Sequence, residues 1–336
     1  MYKSKLDLIE TEIGIKLIKE TFEEKLAEKL SLRRVSAPKF LMVGKGLQDD
    51  LAGTQNPVSF KTKFVDSTIE IVHSLAKWKR YALNKYEFKY GTGLYTDMDA
   101  VRKDEDVDDM HSIYVDQWDW ERIISKEERS ISFLKEIVGK IYKAILETEE
   151  VIEKAFPELK SRLPKEIKFI HSEELEEMYP KLSSREREDK ITEKYGAVFL
   201  IGIGSPLKLG KPHDLRAADY DDWSTVTGDK TKGLNGDILF WDDLRKRAFE
   251  ISSMGIRVDA TALLKQLEFM GVIDRKELEF HKGVIEEKLP LSVGGGIGQS
   301  RLCMFLLQKI HIGEVQVSVW PEEMIKDCEE KGIRLL

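Results

Sequence analysis

A glycine-rich segment near the carboxyl end of the chain, Gly294-Gly295-Gly296-Ile297-Gly298, places four glycines in five positions. An apolar stretch from Leu302 to Leu307 follows, so the pattern predicts that the glycines lead into a helix. Glycine lets the backbone turn sharply and approach a ligand closely. A helix N-terminus carries unpaired N–H groups and partial positive charge. With Arg301 in the first turn, the segment predicts an anion site. A tight turn with a solvated arginine is the equal alternative.

Composition argues against several classes of protein. The 336 residues include two cysteines, Cys303 and Cys328, which are too few for a disulfide framework. We find neither a run of about 18 apolar residues nor a signal peptide, and therefore expect a cytoplasmic protein without a membrane partner. The net charge is −7 and the best basic cluster is short, residues 77–80. This balance disfavours a nucleic-acid partner and favours a small anionic substrate.

The amino-terminal region predicts an amphipathic helix over residues 4–30, with its stripe formed by Leu6, Ile9, Ile13, Leu17, Phe22 and Leu26. A β-rich stretch, residues 33–43, follows and contains Pro38. Because proline cannot donate to a ladder, we expect this strand at an edge or interface. A long helix before an edge strand suits a homodimer, although packing within one subunit is equally compatible.

The remaining periodicity predicts an α+β fold with a mostly antiparallel sheet, because strands lie between helices that are not adjacent in the chain. No repeat or linker divides the sequence, so residues 1–336 are expected to form a single domain. The predicted strands are 111–121, 195–204, 236–241 and 247–258. The predicted helices are 130–156, 260–270, 275–288 and 298–309.

Alternation along the strand at 111–121 places Gln117, Asp119 and Glu121 on one face. The other face carries Tyr114, Trp118 and Trp120, which are most simply core residues. An amide between carboxylates suits recognition of an amino acid, whereas an exposed sheet surface is the alternative. Just upstream, Arg102 precedes an acidic run. It belongs either to a surface turn or to a clamp on carboxylate or phosphate.

Isolated acids in later strands predict a metal site. Asp237 and Glu250 could hold Mg²⁺ on a nucleotide, since that ion prefers a few carboxylates plus phosphate oxygens; a simple ion pair is the alternative. Strict alternation separates Glu250 from Ser253 and Arg257. We therefore expect a β-bulge, at Gly255, if all of them line one pocket. The acidic loops 48–51 and 219–224 are either solvated turns or, together, a site for an ammonium group.

Five segments in order carry a resemblance across nearly the whole chain: residues 72–80, 114–121, 219–224, 252–257 and 294–301. The chain resembles the ammonia-dependent asparagine synthetases, aspartate–ammonia ligases built on the class II aminoacyl-tRNA synthetase catalytic fold. The resemblance implies a mostly antiparallel sheet flanked by helices, with the helix and the strand containing Pro38 at a homodimer interface. It also implies amidation of L-aspartate by ammonia through a β-aspartyl-adenylate, with ATP and Mg²⁺, releasing AMP and diphosphate.

The resemblance also implies roles for individual side chains. Arg102 would bridge the β-carboxylate and the α-phosphate, and Arg301 would bind the nucleotide. ATP and Mg²⁺ would be held by Asp237 and Glu250. The candidates for the amino group or ammonium are Asp49, Asp119 and Asp221; those for the carboxylates are Ser74, Lys79 and Arg257; Gln117 and Ser253 would orient the reacting end.

One departure and two rival functions qualify this interpretation. The loop at residues 45–50 differs from the family pattern and leaves Asp49 and Asp50 as alternatives. A tRNA synthetase core is one rival, disfavoured by the acidic balance and by the lack of an anticodon-binding segment. A catalytically silent sensor is the other, disfavoured by the joint presence of Arg102, Asp237, Glu250 and Arg301. Neither cysteine has the setting of an activated thiol, which favours ammonia over glutamine as nitrogen source.

Overall fold

The computed structural model describes residues 2–53, 55–228 and 231–336. Its helices, in chain order, are α1 (Leu8–Leu30), α2 (Ala76–Lys85), α3 (Ile131–Ala155), α4 (Ser172–Met178), α5 (Ser184–Tyr195), α6 (Ala260–Phe269), α7 (Glu279–Ile285), α8 (Gln299–Leu306) and α9 (Glu322–Glu330). Its strands are β1 (Leu32–Arg34), β2 (Phe40–Met42), β3 (Ser59–Phe60), β4 (Ile69–Ile71), β5 (Gly93–Val101), β6 (Tyr114–Ile123), β7 (Lys168–His171), β8 (Ala197–Ile201), β9 (Asn235–Asp242), β10 (Arg247–Ile256) and β11 (Ser292–Gly298).

The main sheet has eight strands in the order β1-β5-β6-β11-β10-β9-β8-β7. Only the two outermost pairs, β1 with β5 and β7 with β8, are parallel. All pairs between them are antiparallel. This arrangement confirms the predicted α+β fold with a mostly antiparallel sheet. A small second sheet, β2-β4-β3, lies beside it.

One face of the main sheet is covered by α1, α3 and α8, which bury the apolar alternate residues of the strands. Trp118 and Trp120 of β6 are fully buried there, and the Phe22 ring of α1 lies 4.8 Å from that of Trp118. Pro157 follows α3, so this helix ends close to the predicted boundary. None of the described helices combines the length and apolarity that a membrane span requires.

The predicted stripe of α1 is partly wrong. Asp7 caps the helix through Glu10 N–H, so α1 begins at Leu8 rather than at residue 4. Its buried face is formed by Ile15, Ile18, Phe22, Leu26 and Leu30. Ile9 and Ile13 lie on a different face and are 69% and 55% exposed. A helix turns 100° per residue, so residues spaced strictly by four drift away from the core face.

Other boundaries also differ from the predictions. Residues 33–43 do not form one strand, because β1 and β2 flank Pro38 and belong to different sheets. The predicted helix 275–288 is a 3₁₀ turn, Ile273–Glu277, followed by α7. The glycines from Gly294 to Gly298 do not open a helix. They form most of strand β11, and α8 begins after them.

Candidate active site

The glycines of β11 form the floor of a cavity on the sheet face opposite α1. Gly294, Gly296 and Gly298 alternate toward this face. A Cβ added at Gly294 would collide with the Glu121 carboxylate, and one at Gly296 would meet Asp119 Oδ1 at 2.7 Å. Side chains of the neighbouring strands therefore lie over this bare backbone. The glycines leave room for those side chains and for a ligand, instead of wrapping a phosphate at a helix N-terminus.

Strand register arranges the polar residues in rows across the sheet. In one row, Asp119, Gly296, Ser253 and Asp237 are successive partners on β6, β11, β10 and β9. At a strand spacing of 4.7–4.9 Å, this row spans roughly 14 Å. The rows on either side begin at Glu121 and at Gln117 on β6, opposite Gly294 and Gly298. Polar residues of β6 thus begin three neighbouring rows on this face of the sheet.

A β-bulge brings Glu250 to the same face as Ser253. The register of β10 against β9 shifts between Glu250 and Ser252, which makes Ile251 the extra residue. The expected bulge exists, but its predicted position at Gly255 is wrong. Gly255 remains regularly paired with Asn235, and a Cβ added at Gly255 would meet the Asn235 Cβ at 2.7 Å. The bulge lies at Ile251, four residues before Gly255.

The cavity has a volume of about 300 Å³. Every predicted site residue except Asp237 lines it: Asp49, Ser74, Lys79, Arg102, Gln117, Asp119, Asp221, Glu250, Ser253, Arg257 and Arg301. Asp237 does not line the cavity and lies on β9, one strand beyond Ser253. These residues come from seven separate parts of the chain, and only the sheet brings them together.

The end of the cavity nearest Glu121 is a buried cluster of charges. Arg257 donates to Glu121 from Nε at 3.0 Å and from Nη2 at 2.8 Å, while its Nη1 donates to Asp221. Lys79 Nζ lies 3.3 Å from Asp119 Oδ1 and donates to the carbonyl of Gly295 at 2.8 Å. The cluster offers both signs of charge in the space that an amino acid would need.

Burial shifts the pKa values of the charged groups in this cluster in opposite directions. Burial lowers the pKa of Lys79 and raises the pKa of Asp119, against the attraction between the two charges. Burial also raises the pKa of Asp221 despite Arg257. Burial would raise the pKa of Glu121 as well, but the Arg257 guanidinium outweighs it and holds that pKa below its ordinary value. Glu121 is therefore the carboxylate that anchors Arg257.

The loop at residues 44–53 contributes Asp49 to the cavity and turns Asp50 away from it. Asp49 is buried, and its Oδ1 accepts from Leu51 N–H at 2.9 Å. Asp50 forms an ion pair with Arg275 outside the cavity. No lysine, arginine or histidine of the described chain forms an ion pair with Asp49, unlike Asp119 and Asp221. Of the two alternatives, Asp49 is therefore the residue at the cavity.

Arg102 follows β5 at the mouth of the cavity. Its nearest described carboxylate partner is Glu105, 3.9 Å from Nη1, which is a loose contact for an ion pair. The buried Nε of Arg102 has no hydrogen-bond partner among the described residues. Unlike Lys79 and Arg257, this cation has no close protein carboxylate, so nearly all of its N–H groups are available to an anionic ligand.

Arg301 marks the opposite end from Glu121. Its Nη1 donates to the carbonyl of Glu250 at 3.1 Å, and Nη2 donates to Nε2 of His111 at 2.9 Å. His111 in turn donates from Nδ1 to Asp108 at 2.9 Å. This chain of hydrogen bonds fixes the plane of the guanidinium. Nη1 also lies 3.5 Å from Oε2 of Glu250, a partly exposed carboxylate. A planar cation held in a fixed orientation suits binding of a nucleotide.

Asp237 and Arg216 form a buried ion pair beside Glu250. Burial raises the pKa of Asp237 to about 7, opposed by Arg216 and assisted by Glu250. Oδ1 of Asp237 is buried and has no hydrogen-bond partner among the described residues. The chain, as far as it is described, has no cluster of three or more His, Cys, Asp or Glu side chains arranged for a metal. Glu250 is itself paired with Arg301, whose Nη1 lies 3.5 Å from Glu250 Oε2, so the ion-pair alternative is observed for both acids. The unpartnered Asp237 oxygen and the partly exposed Glu250 carboxylate fit Mg²⁺ as well, since this ion takes few protein ligands when phosphates supply the rest.

Sequence reasoning missed two functional candidates. Arg216 was not singled out, although a basic residue just before the acidic loop at 219–222 is a usable signal. Glu121 was placed on the correct face but given no role. Its partner Arg257 is 136 positions away in the sequence, so no local pattern could have joined them.

The fold and the site together define a class of protein. The asparaginyl-tRNA synthetase of Pyrococcus horikoshii complexed with asparaginyl-adenylate superposes with a TM-score of 0.68 at 16% identity, over 93% of this chain and 70% of that one. The asparaginyl-tRNA synthetase of Entamoeba histolytica gives 0.63 at 17% identity, over 91% and 67%. At these identities the likeness shows the fold alone: a class II aminoacyl-tRNA synthetase-like catalytic fold.

Closer relatives identify the family. The model of the aspartate–ammonia ligase family matches residues 9–332. Aspartate–ammonia ligases of Parabacteroides distasonis and Clostridium tetani are 54% and 57% identical over all 336 residues, covering 97% and 96% of the relatives. The chain belongs to the aspartate–ammonia ligase family. It is thus a ligase that forms a C–N bond, and its family membership supports ammonia-dependent synthesis of asparagine.

Proposed function

We propose that this enzyme activates the β-carboxylate of L-aspartate with ATP before ammonia attacks. In the first step a β-carboxylate oxygen attacks the α-phosphorus, forming β-aspartyl-AMP and releasing diphosphate. In the second step ammonia attacks the β-carbonyl carbon, AMP leaves, and asparagine forms with loss of one proton. Activation is needed because an unmodified carboxylate would have to expel oxide.

The observation that carries this proposal is that Arg102 lines the cavity without a close carboxylate partner. It lines the same cavity as the buried charge cluster and Arg301, yet is only loosely paired with Glu105. A cation that is only loosely paired within the protein can bridge the attacking carboxylate and the α-phosphate, where negative charge develops in the transition state. The adenylate bound by the P. horikoshii synthetase of the same fold supports this chemistry by analogy.

Aspartate would bind at the Glu121 end. Its α-carboxylate would pair with Arg257 and Lys79, and its amino group with Asp119 or Asp221. The buried side chains are already oriented by one another, so little ordering is required when the substrate binds. Ser74, Gln117 and Ser253 would donate hydrogen bonds that orient the β-carboxylate toward the nucleotide.

Ammonium would bind at Asp49. Of the three candidate aspartates, only Asp49 lacks an ion pair within the described chain, whereas Lys79 and Arg257 neutralise Asp119 and Asp221. A carboxylate without a protein cation beside it can attract ammonium and accept the proton that must leave before nitrogen attacks. Asp49 would therefore act on the second step and have little effect on adenylation.

ATP would bind toward Arg301, with the guanidinium against the nucleotide. Glu250 and Asp237 would hold Mg²⁺, and the bound ion would neutralise charge on the phosphates. Arg216 pairs with Oδ2 of Asp237. It would therefore orient this carboxylate while leaving Oδ1 available to the ion.

The state of the cysteines supports ammonia as the nitrogen source. Burial raises the pKa of Cys303 to about 12, and burial also raises the pKa of Cys328. Both side chains are buried and thus poor sources of thiolate. Glutamine-dependent transfer generally needs a nucleophilic thiolate, and the chain has no other cysteine.

The decisive assay supplies aspartate, ATP, Mg²⁺ and ¹⁵N-labelled ammonium, and identifies the products. We expect labelled asparagine, AMP and diphosphate in equal amounts, together with aspartate-dependent exchange of labelled diphosphate into ATP without ammonium. Release of ADP and phosphate would exclude the adenylate route. Aminoacylation of tRNA without free asparagine would support a synthetase, and nucleotide binding without turnover would support a sensor.

The exposed apolar residues of α1 support a homodimer. Ile9 and Ile13 project from the helix on the face that does not contact the subunit core. Such residues are favourably buried by a second copy of the chain. We expect light scattering to report a dimer and expect the double variant Ile9→Glu/Ile13→Glu to weaken it; a wild-type monomer at micromolar concentration would contradict the proposal.

A further inference from the structure

A single arginine joins the two acidic loops that reach the cavity. Arg275 lies in the 3₁₀ turn before α7. Its Nη2 pairs with Asp50, and its Nη1 lies 3.3 Å from Oδ2 of Asp219. Asp50 directly follows Asp49, and Asp219 lies two residues before Asp221. The guanidinium therefore links the backbone positions of both cavity aspartates without lining the cavity itself.

The Asp219 side of this link is rigid. Its carboxylate is fully buried, and Oδ2 also accepts from Lys77 Nζ of α2 and pairs with His281 Nε2 of α7, both at 3.1 Å. Three cationic or ring nitrogens from separate elements thus converge on one oxygen. A buried, multiply bonded carboxylate makes a fixed anchor for Arg275.

The Asp50 side is held by fewer contacts. Gln48 accepts from His73 N–H at 3.0 Å and donates to the Ile71 carbonyl at 2.8 Å. Lys45 pairs with Glu279 of α7 on the surface. The Asp49 carbonyl also lies 3.2 Å from His73 Nδ1, and none of these contacts involves the Asp50 carboxylate. Within the described chain, the Arg275–Asp50 pair is the ion pair that ties this later part of the loop to the folded body.

We propose that Arg275 is a positioning residue, which holds Asp49 at the distance from the adenylate that ammonium requires. This inference rests on the proposed role of Asp49 in the second step. Arginine suits the task because its planar fork can hold two carboxylates in fixed relative positions. A displacement of about 1 Å in a reacting group can cost ~10²-fold in rate. Removal of the Arg275 guanidinium would therefore impair the function of Asp49.

The test uses Arg275→Gln and Asp50→Asn in the full-length enzyme. We expect kcat/KM for ammonium to fall ~10–100-fold in both, mainly through a higher KM, because a displaced Asp49 would bind ammonium less tightly. Aspartate-dependent exchange of diphosphate into ATP should stay near the wild-type rate. The double variant should be no worse than either single variant, because both remove the same link. Arg275→Lys should recover part of the loss.

Lys45→Gln is the matched control, since it breaks the other ion pair between this loop and α7 without touching Asp219 or Asp50. We expect its KM for ammonium to stay near wild type. If Arg275→Gln does not fold, Asp50→Asn alone still tests the link. An unchanged KM for ammonium in Asp50→Asn, or an equal loss in the exchange reaction, would overturn the inference. Absence of exchange in the wild-type enzyme would instead refute the proposed function.

Discussion

Glu121 and Arg257 form a buried ion pair in which two guanidinium nitrogens donate to one carboxylate, at 3.0 and 2.8 Å. Ser292 donates to the same carboxylate at 2.7 Å. We expect Glu121→Gln to cost about 3–5 kcal/mol of unfolding free energy, because it leaves Arg257 with one fewer charge partner in the interior. Denaturant titration measures this loss, and the KM for aspartate in the exchange reaction should rise because Arg257 loses the carboxylate that orients it.

Glu147→Gln is the control for that experiment. Glu147 pairs with Lys29 at 2.8 Å between α3 and α1, near the surface. Such pairs contribute up to about 1 kcal/mol. If Glu121→Gln loses no more unfolding free energy than this control, burial does not strengthen the Glu121–Arg257 ion pair.

The same pair predicts a dependence of stability on pH. Arg257 holds the pKa of Glu121 below its ordinary 4.5 in the folded protein, outweighing burial. The pair therefore contributes its full stabilisation above pH 4.5. This stabilisation is lost as the pH falls through the lower pKa that Glu121 has in the folded protein. We expect the stability difference between wild type and Glu121→Gln to shrink below pH 4.5 in acid titrations. A constant difference down to the acid transition would contradict this assignment.

Arg102→Ala should slow adenylation by ~10²–10³-fold, the usual effect of removing one preorganised charge at a transition state. The melting temperature should change little because the ion pair of Arg102 with Glu105 is loose, at 3.9 Å. Aspartate-dependent exchange of diphosphate into ATP measures the rate. The neighbouring Lys103→Ala, at an exposed residue paired only locally with Asp104, serves as control. Near-wild-type exchange in Arg102→Ala would remove this residue from the proposed role.

Asp49→Asn should separate the two chemical steps. The amide retains the shape of the side chain but loses the charge that attracts ammonium. We expect asparagine formation to fall by ~10²-fold or more, as for loss of a general base, while diphosphate exchange persists. Asp50→Asn should affect the KM for ammonium more than the maximal rate. Equal loss of both steps in Asp49→Asn would instead assign this residue to aspartate or ATP binding.

Gly296→Ala tests the glycine floor of the cavity. The added Cβ would collide with the Gln117 amide and lie 2.7 Å from Asp119 Oδ1, so both side chains must move. We expect the KM for aspartate to rise, with a loss of stability of about 1–3 kcal/mol typical of overpacking. Gly139→Ala in α3, where an added Cβ meets nothing within 4 Å, should stabilise by ~0.5–1 kcal/mol. Normal aspartate binding by Gly296→Ala would exclude the proposed role of the bare floor.

Local patterns predicted much of the architecture because their physical basis is local. The side chains of a strand alternate faces, so Gln117 and Asp119 could be placed opposite Trp118 and Trp120 from the sequence alone. The boundaries of α3 followed from its apolar spacing and Pro157. The pattern of α1 was less informative because Ile9 and Ile13 satisfy helical spacing yet remain exposed.

The sequence by itself thus determined the α+β class, the faces of β6 and most residues of the cavity. Only the tertiary structure decided that the bulge is at Ile251 and that Arg216 pairs with Asp237. It also decided that Asp49, and not Asp50, reaches the cavity. These outcomes depend on strand register and on ion pairs between residues far apart in the chain. Spacing within one segment carries no information about them, because they arise when separate segments pack together.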